Sequence, residues 1–120
     1  MKDPSFGEII REARKQKEDS QKQLASMVLL DFTYLSKLEN DRAEYPPSED
    51  SIKRLAKHLD LPNVEQLTYL AGRIPQRDED FIKQHYKDMP ALFRRMQQDP
   101  DFATKVLREA TQPGEEEEQN

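Results

Sequence analysis

The chain has 120 residues, 34% hydrophobic and 36% charged, with a mean hydropathy of -1.05 and a net charge of -5. That is room for one domain, or one small domain with an appendage, whose helices carry much solvated surface. The absence of cysteine excludes disulfides and thiolate metal sites and suits a reducing compartment. No apolar run approaches the roughly 20 residues that cross a bilayer, and an N-terminus with Asp3 and Glu8 lacks the form of a signal peptide, so a cytoplasmic location is expected.

Asp3-Pro4 followed by Ser5-x-x-Glu8 stacks two helix-start signals, a proline in the first turn and a capping box. Phe6, Ile9, Ile10 and Ala13 then follow the i, i+3, i+4, i+7 pattern, which predicts a first helix to about Lys17. Arg11, Arg14, Lys15 and Lys17 make its end basic, as the helix dipole favours, and read as a solvated helix end.

From Ser20 to Arg42 the chain reads as two short helices and a tight turn. Ser20 and Gln23 form a second capping box, so a helix begins near Gln21 and places Leu24, Ala25 and Val28 on one face. Asp31 caps the next helix, whose inner face is Leu35 and Leu38. Its outer face carries Phe32, Thr33, Tyr34 and Lys37, an unusual amount of aromatic and hydrogen-bonding surface for so short a helix.

Pro46 and Pro47 keep the following loop non-helical, and Tyr45 within it either covers the core edge or stacks on a sugar, the first being preferred. Ser48 caps a helix with an acidic first turn, Glu49 and Asp50, and a buried face of Ile52, Leu55, Ala56 and Leu59. Pro62 and Asn63 break the chain. A further helix carries Val64, Leu67, Leu70 and Ala71, and Gly72 is a left-handed stop.

Residues 73–76 read as a short linker. Beyond it Phe81, Ile82, Tyr86, Met89, Leu92, Phe93 and Met96 lie in a predominantly helical stretch broken near Pro90, and Asp99-Pro100 restarts a helix with Phe102, Val106 and Leu107. These ten residues are too few to fold alone and need a partner surface, either the preceding helices or a second copy of the chain. The last residues, 112–120, combine a Pro-Gly break with Glu115 to Glu118 and are expected to be a disordered acidic tail, a solubilising end rather than a DNA mimic.

Little in the chain suggests catalysis. His58 and His85 look solitary, so no metal or cofactor is expected. Asp78, Glu79 and Asp80 read as helix-start acids. With no Gly-rich phosphate loop and no nucleophile-base arrangement, the chain is not expected to be an enzyme.

In their present spacing, Gln21, Leu24-Ala25, Tyr34-Leu35-Ser36-Lys37 and Leu38-Glu39-Asn40 resemble the helix-turn-helix of lambda-repressor/Cro-like (XRE-type) DNA-binding proteins. The resemblance implies an all-α fold, a five-helix DNA-binding domain within residues 1–75, a helical extension over 76–111 and the tail over 112–120. It implies that the helix from Asp31 to Asn40 lies in the major groove. Phe32, Thr33, Tyr34 and Lys37 then become base readers, with Thr33 and Lys37 as the hydrogen-bonding pair, and Ser20, Gln21, Asn40 and Arg42 become phosphate contacts. It also implies a charge-assisted pair between Arg14 and Glu39.

Two positions depart from the family's pattern. Leu29 stands where the turn usually has glycine, so the chain either bears roughly 1 kcal/mol of left-handed strain or turns differently. Asp41 stands where glycine usually follows Asn40, and its charge would repel DNA.

An acidic protein is unusual as a DNA binder, but the charge is unevenly spread. Residues 76–120 hold seven basic and eleven acidic groups, against twelve and thirteen in residues 1–75, so the proposed reading head is near neutral. The expectation is a sequence-specific transcriptional regulator, a repressor that binds a palindromic operator in double-stranded DNA as a homodimer, with the ten apolar residues of the extension at the dimer interface. The rival is a protein-interaction module, antitoxin-like or a regulatory subunit, whose C-terminal helices bind a non-identical protein. A regulatory protein or a protease would be such a partner.

Overall fold

Each expected helix start of the first half forms from residues three apart. Ser5 Oγ accepts the Glu8 N–H at 3.1 Å while the Glu8 carboxylate accepts the Ser5 N–H at 2.9 Å, which opens α1 (Phe6–Gln16). Ser20 and Gln23 repeat the reciprocal arrangement at α2 (Gln21–Met27). Asp31 accepts from Tyr34 N–H at α3 (Phe32–Glu39), and Ser48 accepts from Ser51 N–H at α4 (Glu49–Leu59). The computed structural model describes residues 2–112, and these form eight α-helices and no strand. They group into two compact units that divide after Asp78.

The first unit holds the core. Phe6 and Ile10 of α1, Leu24, Ala25 and Val28 around α2, Leu35 and Leu38 of α3, and Ile52, Leu55, Ala56 and Leu59 of α4 are all buried against one another, joined by Leu67 of α5 (Val64–Leu70). The i, i+3, i+4 spacing places them on inward faces, and their removal from water is the main stabilising term. Leu70 departs from its expected inward place. It is 48% exposed, while Ala71 next to it and Leu67 one turn before it pack on the core, so Leu70 lies off the packed face.

Five helix ends share one device. The N–H of Asp19 reaches the carbonyl of Arg14, that of Leu30 reaches Ala25, that of Arg42 reaches Lys37, that of Leu61 reaches Ala56 and that of Arg73 reaches Thr68, each across a residue with positive φ: Glu18 at 61°, Leu29 at 58°, Asp41 at 57°, Asp60 at 56° and Gly72 at 89°. This is the Schellman arrangement. Leu29 therefore adopts the left-handed conformation itself, and no alternative turn is used.

The expected linker is not slack. The Arg73 guanidinium donates to the carbonyls of Pro47 at 2.8 Å and Pro46 at 3.1 Å, Pro75 is buried, and the Gln76 N–H donates to the Glu49 carboxylate at 2.7 Å. A sixth helix, α6 (Gln76–Gln84), starts there, and the division between units falls inside it rather than at residue 75.

The second unit continues through a turn at residues 85–88 into α7 (Met89–Gln98) and α8 (Pro100–Thr111). The interruption expected near Pro90 lies just before it, since Pro90 occupies the first turn of α7, where a missing N–H costs nothing. Asp99 caps α8 by accepting the Phe102 N–H at 3.1 Å, and Arg95 lies over the Phe102 ring at 3.9 Å. No residue of α6, α7 or α8 is buried. Residues 113–120, which carry the acidic run, lie outside the described residues. Among the described residues, no helix is long and apolar enough to cross a membrane.

Candidate nucleic-acid interface

The α2–turn–α3 segment is fixed from behind by one buried carboxylate. Glu39, at the end of α3, is 1% exposed. Arg14 of α1 grips it with two parallel bonds, Nε to Oε2 at 2.8 Å and Nη2 to Oε1 at 2.9 Å, and Gln21 of α2 adds a third, Nε2 to Oε1 at 2.9 Å. The remaining Arg14 nitrogen, Nη1, donates to the Asp19 carbonyl at 2.9 Å. One carboxylate thus ties together the starts and ends of three helices, and the pair that the resemblance implied forms with bidentate geometry.

With Leu35 and Leu38 buried, the other face of α3 is turned outward. Phe32 is 42% exposed, with the Lys22 ammonium 5.8 Å from its ring centre, a neighbour supplied by α2 packing on α3. Thr33 and Lys37 are exposed, and neither side chain has a hydrogen bond or ion pair among the described residues. Tyr34 is different. It is half-buried, its hydroxyl donates to the Tyr45 carbonyl at 2.9 Å, and its ring stacks on that of Tyr45 at 5.0 Å and 16°. Burial, with Tyr45 adding to it, pushes the Tyr34 phenol above its ordinary range. Its ring edge can contact a ligand, but its hydroxyl is already used.

Of the four residues expected at phosphates, three have side chains engaged within the fold. Ser20 Oγ caps α2, the Gln21 amide serves Glu39, and Asn40 Nδ2 donates to the Ser36 carbonyl at 2.8 Å. Arg42 alone is exposed with no side-chain partner among the described residues. Asp41, expected to oppose DNA beside Asn40, is turned instead to the start of α1, where it accepts from Ser5 Oγ at 2.7 Å and Gly7 N–H at 3.2 Å. That position suits its charge, since it faces the positive end of a helix dipole.

His58 is not solitary, since its Nε2 lies 2.8 Å from Asp19 Oδ2, and His85 lies against Phe81 at 4.5 Å. Among the described residues, no three His, Asp or Glu side chains come together as metal ligands.

The loop between α3 and α4 adds two residues that periodicity did not single out as readers. Glu44 and Tyr45 line, with Asp31, Thr33, Tyr34 and Lys37, a recess of about 210 Å³ on the outer side of α3. A short helix with an exposed polar face, one flanking cation and a rigid back is the shape that enters a DNA groove. Residues 10–62 match a family model described as helix-turn-helix, a span that runs from within α1 past the end of α4. Comparison with curated proteins finds no match.

Proposed function

We propose that this DNA-binding transcription regulator, whose residues 10–62 are an XRE-type, lambda-repressor-like helix-turn-helix, is a repressor that binds a palindromic operator as a homodimer. The observation that carries the reading is the pairing of unpartnered Thr33 and Lys37 on the outer face of α3 with the three-helix clamp on Glu39 behind it. A reading helix gains specificity from donors that are unoccupied and held still. Phe32 adds an apolar surface suited to a thymine methyl, and Arg42 supplies the phosphate contact that fixes register.

Repression follows from the simplest use of such a head, because occupancy of a promoter suffices to block polymerase. Two heads reading half-sites about one helical turn apart, roughly 34 Å, require a two-fold interface. Phe81, Ile82, Tyr86, Met89, Leu92, Phe93, Met96, Phe102, Val106 and Leu107 supply it in our reading, since the second unit leaves all of them at least partly open to water. That same open face supports a second reading, in which the second unit binds a non-identical protein and the head serves as an interaction module.

Selection of genomic fragments at moderate salt, with the native protein and with the Thr33→Ala, Lys37→Ala double variant, tests the first reading. A palindromic site enriched by the native protein and lost by the variant supports it. Enrichment by neither, or the same enrichment by both, moves the assignment to the interaction module.

A further inference from the structure

Glu44 is an unexpected group on a DNA-facing surface, because phosphates repel it. Yet the backbone that follows it is held firmly. The Tyr34 hydroxyl bonds the Tyr45 carbonyl at 2.9 Å and the two rings stack, while Arg73 grips the carbonyls of Pro46 and Pro47. The loop that carries Glu44 is therefore tied at Tyr45 to the reading helix and, just beyond, to the end of α5.

The recess beside it has two opposite charges that do not meet. Lys37 and Glu44 both line it, yet they form no ion pair with one another, and neither side chain has another partner among the described residues. Asp31, the other acid there, is committed to capping α3 through the Tyr34 N–H. Thr33, Tyr34 and Tyr45 complete the wall. A phosphate would match Lys37 and be refused by Glu44. A base-pair edge offers donors and acceptors side by side, and so suits both.

We infer that Lys37 and Glu44 together read one C·G base pair in each half-site, Lys37 donating to guanine O6 and N7 and Glu44 accepting from cytosine N4. The inference rests on the reading of α3 as the helix that enters the major groove. A carboxylate only accepts and an ammonium only donates, so the pair requires acceptors next to a donor. The major-groove edge of a G·C pair presents two adjacent acceptors and then the cytosine amino group. An A·T pair alternates acceptor, donor and acceptor and ends in a methyl group, which would face a charge. Tyr45, stacked on Tyr34, fixes the backbone next to Glu44.

Randomised-site selection with the native protein, Glu44→Ala and Lys37→Ala tests this. Both side chains are exposed, so neither variant threatens the fold, and preferences at the other positions report that each variant still reads DNA. The expected result is one C·G position per half-site at which both single variants relax discrimination by about tenfold, with the remaining positions unchanged. Native-like preference at every position with Glu44→Ala would overturn the inference while leaving the DNA reading intact. So would relaxation at different positions by the two variants, or relaxation at an A·T pair. If the native protein selects no site, the inference falls together with the reading beneath it.

Discussion

Arg14 and Glu39 lie 25 residues apart and meet fork to fork, with bonds of 2.8 and 2.9 Å to a carboxylate that is almost wholly withdrawn from water. Such a pair is costly to break from one side, because the partner left behind is a buried charge. Arg14→Ala, which leaves Glu39 with Gln21 alone, should lower the unfolding free energy by about 3–5 kcal/mol. Replacing both with methionine should cost less than either single change. Urea unfolding followed by circular dichroism measures each, and an Arg14→Ala midpoint equal to the native one would reduce the clamp to ornament.

Gly7 tests how closely α1 approaches the end of α3. A Cβ there would lie 2.3 Å from the Leu38 carbonyl oxygen, 2.6 Å from Asp41 Oδ1 and 2.9 Å from the Glu39 carbonyl oxygen. In an open helix interior, alanine is better than glycine by roughly 1 kcal/mol. Here the sign reverses, since two of the three atoms are backbone and cannot move aside. Gly7→Ala should destabilise by about 1–3 kcal/mol, and a rise in thermal midpoint would refute the close approach.

Leu29 gives the opposite expectation. Its φ of 58° is left-handed, and its side chain is 75% exposed, so the strain is borne without burial in return. Leu29→Gly should stabilise by roughly 0.5–1 kcal/mol once the greater freedom of glycine in the unfolded chain is set against the relieved strain. For a unit of this size that raises the melting temperature by a few degrees, about 2–8 °C. Leu29→Ala keeps the Cβ and should gain nothing, which separates relief of strain from loss of an exposed side chain.

These cases show where the sequence was legible and where it was not. Ser5 with Glu8, Ser20 with Gln23, Asp31 and Ser48 were readable as caps because each makes its bond within three residues. The inward faces of α1 to α4 were readable because helical spacing is local. Gln21 illustrates the limit, since its bond to Glu39 spans 18 residues and arises only when α2 packs on α3. Asp41 at the start of α1, His58 beside Asp19 and Arg73 on the Pro46-Pro47 loop are equally non-local. Leu70 stood in an apolar run, yet Leu67 and Ala71 take the packed face and Leu70 does not, a choice that periodicity over so short a helix does not mark. The Arg14–Glu39 pair was anticipated only through family resemblance. Glu44 carried no local signal, because all its neighbours in the recess except Tyr45 come from α3 and its cap.

Tyr69 provides a pH signature for the junction of α5 and α6. Its hydroxyl donates to the Asp78 carboxylate, and that bond, with burial and the carboxylate's own charge, pushes the phenol up to about 12 from 10.0. Because the folded value lies above the unfolded one, the stability this bond contributes is complete below about pH 10 and is lost as pH rises towards 12. The ring is half exposed, so the effect on stability is small and the titration itself is the better readout. Tyrosinate absorbance of the native protein minus that of Tyr69→Phe should show this residue still protonated at pH 11. In Asp78→Asn it should titrate at lower pH, and identical curves for the two proteins would show that the bond does not form in solution.

Phe93 decides what the second unit is for. On α7 and α8, Met89, Leu92, Met96, Phe102 and Val106 are half-buried, while Phe93 at 46% and Leu107 at 56% remain exposed. A helical pair with no buried residue gains little from hydrophobic burial, and in our reading covering the exposed rings in a second copy supplies the deficit. Phe93→Asp places a charge where such a seam must be dry, so light scattering should give the monomer mass while helicity is retained. It should also abolish binding to a paired site while leaving weak half-site binding, because a near-neutral head depends on its partner for affinity. If Phe93→Asp instead keeps the dimer mass, the two-fold seam lies elsewhere, and the apolar face of α7 is left for a non-identical protein.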